Sequence, residues 1–191
     1  MINGKSVLLR PIEQRDQEYI HLLNADPGVR SNVVGWDFPQ SLHDQRKWFE
    51  TSQTGATHRW IVEDAESRQI GLTGLWDIDT HNRNALTALK LGGPNEVRGR
   101  GIGRDAIKAV MAFAFYDVGL ERLYGSIIDG NNPSLKAYCE HCNWSVEGTS
   151  RNHIWRHGEY VDLIQVGVLK ADFDALEDAG EYIELVKRGR A

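Results

Sequence analysis

A glycine-rich segment near residue 100 carries the residues best suited to binding phosphate. It reads EVRGRGIGRDA and lies between a strand-like run and a long amphipathic stretch. Glycines at such a place let main-chain N–H groups approach a ligand, and a helix start adds unpaired donors and a partial positive charge. The candidate ligand-binding residues of this segment are Arg98, Gly99, Arg100, Gly101, Ile102, Gly103 and Arg104. Their types and spacing predict a site for a phosphate or a pyrophosphate.

Two common phosphate motifs do not match this segment. The Walker A motif requires Lys followed by Ser or Thr after its last glycine, and Gly103 is followed by Arg104. The dinucleotide fingerprint has the spacing G-x-G-x-x-G in an opening βαβ unit, whereas the spacing here is G-x-G-x-G in mid-chain. From the residues alone, a tight turn that binds nothing stays open as the alternative.

A second constellation has the residue types of a zinc site. Cys139, Cys142, His153 and His157 read C-x2-C-x10-H-x3-H. The two cysteines lie in LKAYCEHCNW, which has a helical pattern rather than the turn that a zinc finger needs. The hypothesis of a zinc-binding interaction domain is therefore the weaker one, and we expect no bound metal.

Composition excludes several classes of protein. The 191 residues carry a formal net charge of −5, which argues against a nucleic-acid binder. Charged residues make up 26% of the chain, and no apolar run reaches the length of a membrane span. The first residues, MINGKSVLLRPIEQRD, lack the pattern of a signal peptide. We expect a cytoplasmic protein that binds neither nucleic acid nor membrane.

The elements that position these residues follow from hydrophobic periodicity. Strand-like runs at 57–63, 69–79 and 83–91 predict an antiparallel meander ahead of the glycine-rich segment. A helix over 104–118 follows, and then strand, helix and two further strands. This order predicts an α+β fold around one mixed sheet. We expect one domain over residues 1–172 and a charged, helical tail over 173–191.

The glycine-rich segment resembles the coenzyme A loop of the GNAT superfamily of N-acetyltransferases. That loop has the pattern [RQ]-x-x-G-x-[GA], which the residues from Arg98 to Gly103 satisfy. Leu9-Arg10-Pro11 and the Asn82-Arg83 turn resemble the branch that acetylates ribosomal-protein N-termini, antibiotics, polyamines and amino sugars. The resemblance implies acetyl-CoA as co-substrate. It also implies the GNAT fold, a mixed, mostly antiparallel sheet with helices on both faces and two parallel strands that splay apart.

The resemblance continues after the long helix. Asn131, Ser134 and Tyr138 match a family register of Asn, then Ser or Ala three positions on, then Tyr seven positions on. Further on, Asn143 and Trp144 of NWSVEG stand where the family has Gly and Phe, and Asn tolerates the left-handed conformation that ends a helix. Counting back from Asn143 shows that this chain has one residue more than the family pattern between Asn131 and Asn143.

The resemblance also assigns roles in the chemistry. Tyr138 is implied as the general acid for the departing thiolate, since a phenol stays protonated near neutral pH. The inserted residue makes Cys139 the rival for that position. Asn131 and Ser134 are implied as coenzyme-binding residues. A main-chain N–H near Leu91 and Gly93 is implied as the donor that stabilises the oxyanion.

The acceptor pocket and the general base are less well defined. We expect the pocket to come from Val33 onward, with Trp36, Asp37 and Phe38 as the substrate-binding residues. Many relatives have a glutamate in R-x-A-E before the glycine loop, but here Leu86 follows Arg83-Asn84-Ala85. The remaining candidate bases are Asp77, Asp79, His81 and His153, each of which also suits a structural or solvated role. Water or the neutral fraction of the amine stays an alternative.

These observations predict an acetyl-CoA-dependent N-acetyltransferase. The expected acceptor is the primary amine of a small molecule such as an amino sugar, an antibiotic or a polyamine. Acetylation of a protein or peptide N-terminus is the enzymatic alternative, and a coenzyme A-binding sensor module is the non-enzymatic one. We expect a monomer or a homodimer.

Overall fold

The computed structural model describes residues 1–35, 38, 40–51, 55–92 and 99–189. Four of the residues predicted for the site, Trp36, Asp37, Gly93 and Arg98, lie outside these described residues.

The described strands form one eight-stranded sheet. They are β1 (Ile2–Asn3), β2 (Leu8–Pro11), β3 (His58–Glu63), β4 (Gln69–Asp79), β5 (Asn84–Leu91), β6 (Arg122–Ile128), β7 (Ser145–Arg156) and β8 (Glu159–Leu169). Their spatial order is β1-β2-β3-β4-β5-β6-β8-β7, and only the β5–β6 pair among these strands is parallel. The predicted meander, now β3 to β5, is confirmed.

Strands β5 and β6 separate after a short pairing. Their register runs from Asn84 opposite Arg122 to Leu86 opposite Tyr124 and ends there. At the next position of β6, a Cβ on Gly125 would lie 2.9 Å from the Thr87 carbonyl oxygen, so glycine permits this last close approach. Beyond it the two strands diverge, which confirms the expected splay.

Helices cover both faces of the sheet. They are α1 (Gln17–Ala25), α2 (Pro27–Arg30), α3 (Leu42–Thr51), α4 (Ile102–Phe113), α5 (Asn132–Leu135), α6 (Lys170–Asp174) and α7 (Ala179–Arg188). Adjacent residues of β3 show the two layers, because Ile61 packs with the residues of α1 and α2 while Trp60 and Val62 pack with those of α4. The Trp60 ring meets Phe113 of α4 edge-on at 5.6 Å. Expectation and structure agree on the fold class.

The last helices pack against α4. Phe173 and Tyr182 are buried in the same core as α4. The Tyr182 hydroxyl donates to Asp105 at 2.7 Å, and Asp105 also accepts from the backbone N–H groups of Lys5 and Ser6. The carboxylate of Asp105 thereby joins the N-terminal turn, α4 and α7. The division of the chain at residue 172 stays a prediction.

Arg10, in the Leu9-Arg10-Pro11 motif, holds a buried ion-pair network. Its guanidinium donates two hydrogen bonds of 2.7 Å to Asp16, and its Nε donates to Glu63 at 2.7 Å. Burial opposes the charged form of Asp16, but the bonds from Arg10 and from the Glu13 N–H outweigh it, so the pKa of the Asp16 carboxyl is lowered. The motif therefore anchors the start of α1 to the sheet.

Candidate active site

Two cavities meet where β5 and β6 splay apart. One has a volume of about 680 Å³ and runs along the glycine-rich segment and the start of α4; we call it the coenzyme groove. The other, of about 310 Å³, extends between β5 and β6 toward Trp76 and Asp77; we call it the acceptor cavity. The residues that line both, here called the junction, are Asn32, Val33, Leu89, Lys90, Asn131, Ser134 and Tyr138. A molecule in one cavity can therefore reach a molecule in the other at the junction.

The start of α4 suits an anionic ligand. The N-cap residue is Gly101, in the left-handed region at φ 79°, so it supplies no side-chain oxygen to the first N–H groups of the helix. Gly99, Gly101, Ile102 and Gly103 all line the coenzyme groove. The groove thus offers main-chain donors and the positive end of a helix dipole, as a pyrophosphate requires.

The two described arginines of the glycine-rich segment line a different cavity. Arg100 and Arg104 are exposed and line a third cavity of about 520 Å³, which also includes Lys5 and Lys108. Gly101 lines both this cavity and the coenzyme groove. Arg100 and Arg104 therefore line a cavity that adjoins the coenzyme groove at Gly101.

Tyr138 is buried at the junction, with 7% of its surface exposed. Its ring meets Trp144 edge-on at 4.9 Å, and its hydroxyl accepts a hydrogen bond from the Leu89 N–H of β5. Burial, with a smaller effect of the Cys142 thiol, raises the pKa of Tyr138 above its ordinary value. The phenol stays protonated at neutral pH, and the bond from Leu89 leaves its own hydrogen to point toward a ligand.

The inserted residue is accommodated by a π turn. Residues Lys136–Glu140 form this wider turn directly after α5, and a π turn takes up one extra residue. Asn143 follows at φ 56°, which confirms the left-handed conformation expected of the residue that replaces the family glycine. Tyr138 lines both cavities, whereas Cys139 packs against the core. Asn131 caps α5 by accepting from the Ser134 N–H at 3.2 Å.

The backbone of β5 directs alternate N–H groups into the splay. The Gly92 N–H donates to the Ile70 carbonyl of β4 at 3.0 Å, so it is used within the sheet. Successive N–H groups of a strand point to opposite sides, so the N–H of Leu91 points the same way as that of Leu89, toward the splay. Leu91 lines the coenzyme groove. Of the two residues predicted to frame the oxyanion donor, Leu91 is described and Gly93 is not.

The acceptor cavity has a mixed lining. Val33 and Val34 of the predicted segment line it, together with Trp76 and Asp77 of β4. Phe38 is 84% exposed and lines neither described cavity. The Arg156 guanidinium, at the tip of the β7–β8 hairpin, donates to the Val33 carbonyl at 3.1 Å. The hairpin thus fixes one wall of the cavity.

The candidate bases named from the sequence are dispersed. Asp77 lies at a bulge of β4, at φ 51°, and lines the acceptor cavity. Asp79 accepts from the backbone and side chain of Asn82 in the β4–β5 turn, and these bonds lower the pKa of its carboxyl. His81 is exposed in the same turn, and His153 is exposed on β7.

Lys90 is a site residue that sequence reasoning missed. It lies on β5 at the junction, and burial, with repulsion from Arg59, lowers the pKa of its ammonium to about 7. The signal in the sequence is a lysine inside the otherwise apolar run ALTALKL. That signal is weak, because the alternation of a strand accommodates an outward-facing lysine equally well.

The cysteines and histidines of the zinc-like pattern lie apart. Cys142 is buried in the core, while His153 and His157 are exposed on the β7–β8 hairpin. Within the described ranges, no group of three or more His, Cys, Asp or Glu side chains is arranged to hold a metal ion. No helix among the described residues is long and apolar enough to span a membrane.

Comparison with known proteins agrees with this geometry. A family model described as an acetyltransferase (GNAT) domain matches residues 6–140. A prophage-derived uncharacterized N-acetyltransferase, YokL, of Bacillus subtilis is 26% identical over 171 residues, which cover 90% of this chain and 94% of that protein. The spermidine N(1)-acetyltransferase of Vibrio cholerae is 25% identical over 172 residues, covering 89% of this chain and 96% of the relative.

Solved structures show the same fold. A spermidine N-acetyltransferase from Vibrio cholerae, in complex with CoA and spermine, superposes with a TM-score of 0.79 at 25% identity, over 88% of this chain and 98% of that one. A dodecameric form of the same kind of enzyme superposes with a TM-score of 0.75 at 24% identity, over 89% of this chain and 97% of that one.

The splayed sheet, the glycine-rich helix start and the matched domain define the class of protein: the chain belongs to the GNAT acetyltransferase family. It is an acetyl-CoA-dependent N-acetyltransferase.

Proposed function

We propose that the chain transfers the acetyl group of acetyl-CoA to a primary amine of a small molecule that enters through the acceptor cavity. The observation that carries this proposal is the meeting of the two cavities at Tyr138 and β5. Relatives named as spermidine N(1)-acetyltransferases make polyamines the first acceptors to test. Amino sugars and aminoglycosides follow, and a peptide N-terminus is the alternative.

The lining of the acceptor cavity favours a compact, singly anchored amine. Its one described carboxylate is that of Asp77, which suits one ammonium group, and Trp76 supplies a flat apolar wall. A polyamine with several charges would keep its other ammonium groups in water. The volume of about 310 Å³ accommodates the end of such a chain or one sugar ring better than a folded peptide terminus.

Three residues divide the chemistry in this proposal. The start of α4, around Gly101, binds the pyrophosphate of acetyl-CoA. The Leu91 N–H donates to the carbonyl oxygen of the acetyl group as negative charge develops there. As the amine nitrogen bonds to the acetyl carbon, the carbon–sulfur bond breaks and the Tyr138 hydroxyl gives its proton to the departing sulfur, while the nitrogen loses one proton to a base or to water.

A coenzyme A release assay across an amine panel tests this proposal. The panel contains spermidine, glucosamine, an aminoglycoside and a short peptide with a free N-terminus, each with acetyl-CoA. We expect kcat/KM for one small amine to exceed that for the peptide by at least about tenfold, and mass spectrometry to find the acetylated amine. A preference for the peptide would contradict the assignment of the acceptor. Release of coenzyme A from none of the panel would contradict the activity toward small amines.

A further inference from the structure

Lys90 has a place at the junction that the chemistry described so far does not use. Of the described junction residues, only Lys90 and Tyr138 carry groups that exchange a proton in the accessible pH range. Tyr138 is held in its protonated form by burial, so it is not the acceptor. A proton acceptor among these residues therefore has to be Lys90.

We propose that Lys90 is the proton acceptor of this enzyme, its neutral amine taking the proton that the acceptor nitrogen loses as the amide forms. This inference rests on the proposed function. The acceptor nitrogen bonds to the acetyl carbon, the carbon–sulfur bond breaks and its electron pair leaves with sulfur. Lys90 Nζ receives the nitrogen's proton, and Tyr138 supplies the proton for the sulfur. Release of the Lys90 proton to solvent and return of one to Tyr138 restore the site.

The surroundings of Lys90 favour the neutral amine over the charged ammonium. Its Nζ lies 5.4 Å from the centre of the Trp76 ring, and Arg59 on β3 lies over the same ring at 5.6 Å. Burial and, to a smaller extent, the Arg59 charge disfavour the ammonium form and lower its pKa to about 7. Among the described residues, the other titratable groups that line these cavities are Asp77 on β4 and Tyr138 after α5.

A base with a pKa of about 7 suits the removal of the proton from the acceptor nitrogen. Before it reacts, the bound amine keeps most of its basicity. Once its nitrogen has bonded to the acetyl carbon, the proton on that nitrogen becomes acidic. An acceptor with a pKa near the working pH is then the most effective kind. The flexible four-carbon stem of a lysine lets Nζ follow the nitrogen between the two cavities.

The first arm of the test measures the protonation of Lys90 without turnover. Trace labelling of the protein with acetic anhydride at a series of pH values, followed by peptide mass spectrometry, gives the pKa of each lysine. We expect Lys90 to react half-maximally near pH 7. If Lys90 becomes reactive only well above pH 7, its amine is charged at neutral pH and the proposal is wrong.

The second arm compares pH profiles of kcat for the best amine of the panel. The wild type should lose activity below about pH 7. Lys90→Met should lower kcat by roughly 10²–10⁴-fold and abolish that acidic limb, while Lys90→His should restore part of the rate with a limb near pH 6.5. The control, Lys136→Met, should match the wild type. Calorimetric binding of acetyl-CoA checks that each variant is folded.

Three outcomes overturn the inference and separate it from the proposed function. A Lys90→Met enzyme with an unchanged rate and acidic limb excludes Lys90 while leaving the proposed function intact. Stoichiometric acetylation of Lys90 by acetyl-CoA alone also excludes it, because an amide nitrogen accepts no proton. A wild type that acetylates no amine contradicts the proposed function, and the role of Lys90 falls with it.

Discussion

The replacement of Tyr138 by Phe gives a direct test of the acid proposed for the departing thiolate. The ring is buried and packs edge-on against Trp144 at 4.9 Å, so Phe preserves the contact and removes only the hydroxyl. Because burial raises the pKa of Tyr138, the wild type carries this proton throughout the neutral and mildly basic range. The substitution therefore removes a proton donor at every pH of the assay.

The expected losses of rate and of stability follow from the groups that the Tyr138 hydroxyl contacts. A positioned general acid contributes roughly 10²–10⁴-fold, and a thiolate departs without full protonation, so we expect kcat to fall by about 10². That factor corresponds to about 2.7 kcal/mol. The Leu89 N–H also loses its acceptor, but water in the groove can replace it, so the cost in stability should be about 1 kcal/mol. For a chain of this length that lowers Tm by about 2–4 °C.

The assay is the steady-state release of coenzyme A. Single-turnover measurements establish that chemistry limits the rate. We expect the loss in kcat and little change in KM for acetyl-CoA, because the hydroxyl acts in the transition state rather than in binding. Cys139→Ala is the matched control, since Cys139 is the neighbouring residue in the register. Full turnover by Tyr138→Phe with chemistry rate-limiting would refute the role. A larger loss in Cys139→Ala would mean that the register is shifted by one residue.

Three further predictions test the coenzyme groove, the acceptor cavity and the buried ion pair. Gly101→Val should raise the Kd for acetyl-CoA at least about tenfold, while Gly119→Val, which imposes the same strain at φ 83° in open space, should lower Tm alone. Arg156→Ala removes the bond to Val33, worth about 0.5–1.5 kcal/mol, and should raise KM for the amine by up to about tenfold. Asp16→Asn should cost about 3–5 kcal/mol at neutral pH. The folded-state pKa of Asp16 is depressed, so the wild type should lose this advantage progressively as the pH falls below the ordinary carboxyl range and through that lowered pKa.

Each of these results has a contradicting outcome. Equal acetyl-CoA affinities for Gly101→Val and Gly119→Val, measured by calorimetry, would remove Gly101 from the coenzyme groove. An unchanged KM in Arg156→Ala, with exposed Arg151→Ala as the control, would detach the hairpin from the acceptor cavity. Parallel unfolding curves of wild type and Asp16→Asn from pH 7 to pH 3 would mean that Asp16 titrates normally.

The periodic parts of the chain were predictable because local chemistry determines them. The run of 69–79 was predicted as a strand and is β4 with the same bounds, since a short, nearly continuous buried run is typical of a strand covered on both faces. The helix expected over 104–118 is α4 with the π turn Ala114–Val118, ended at Gly119. The glycine spacing before a helix start predicted a phosphate site, and Gly99, Gly101 and Gly103 line the coenzyme groove.

The junction was not predictable to the same degree. The sequence revealed one inserted residue between Asn131 and Asn143 but not its position, since a π turn has no strong sequence signal. Lys90 was missed for a different reason. The pKa of its amine is lowered by burial and by the charge of Arg59 on another strand, and no local sequence pattern reports such a neighbourhood.

Burial at the junction acts on Lys90 and Tyr138 in the same physical sense, by disfavouring charge. For a lysine this lowers the pKa, and for a tyrosine it raises the pKa. The same dry surroundings therefore leave Lys90 able to accept a proton and keep the Tyr138 hydroxyl protonated, although its raised pKa makes that hydroxyl a weaker acid. Between a pKa of about 7 for Lys90 and the raised pKa of Tyr138, both groups hold these states together. Under the two roles proposed here, kcat should rise through neutral pH and then stay level, with no basic limb from Tyr138.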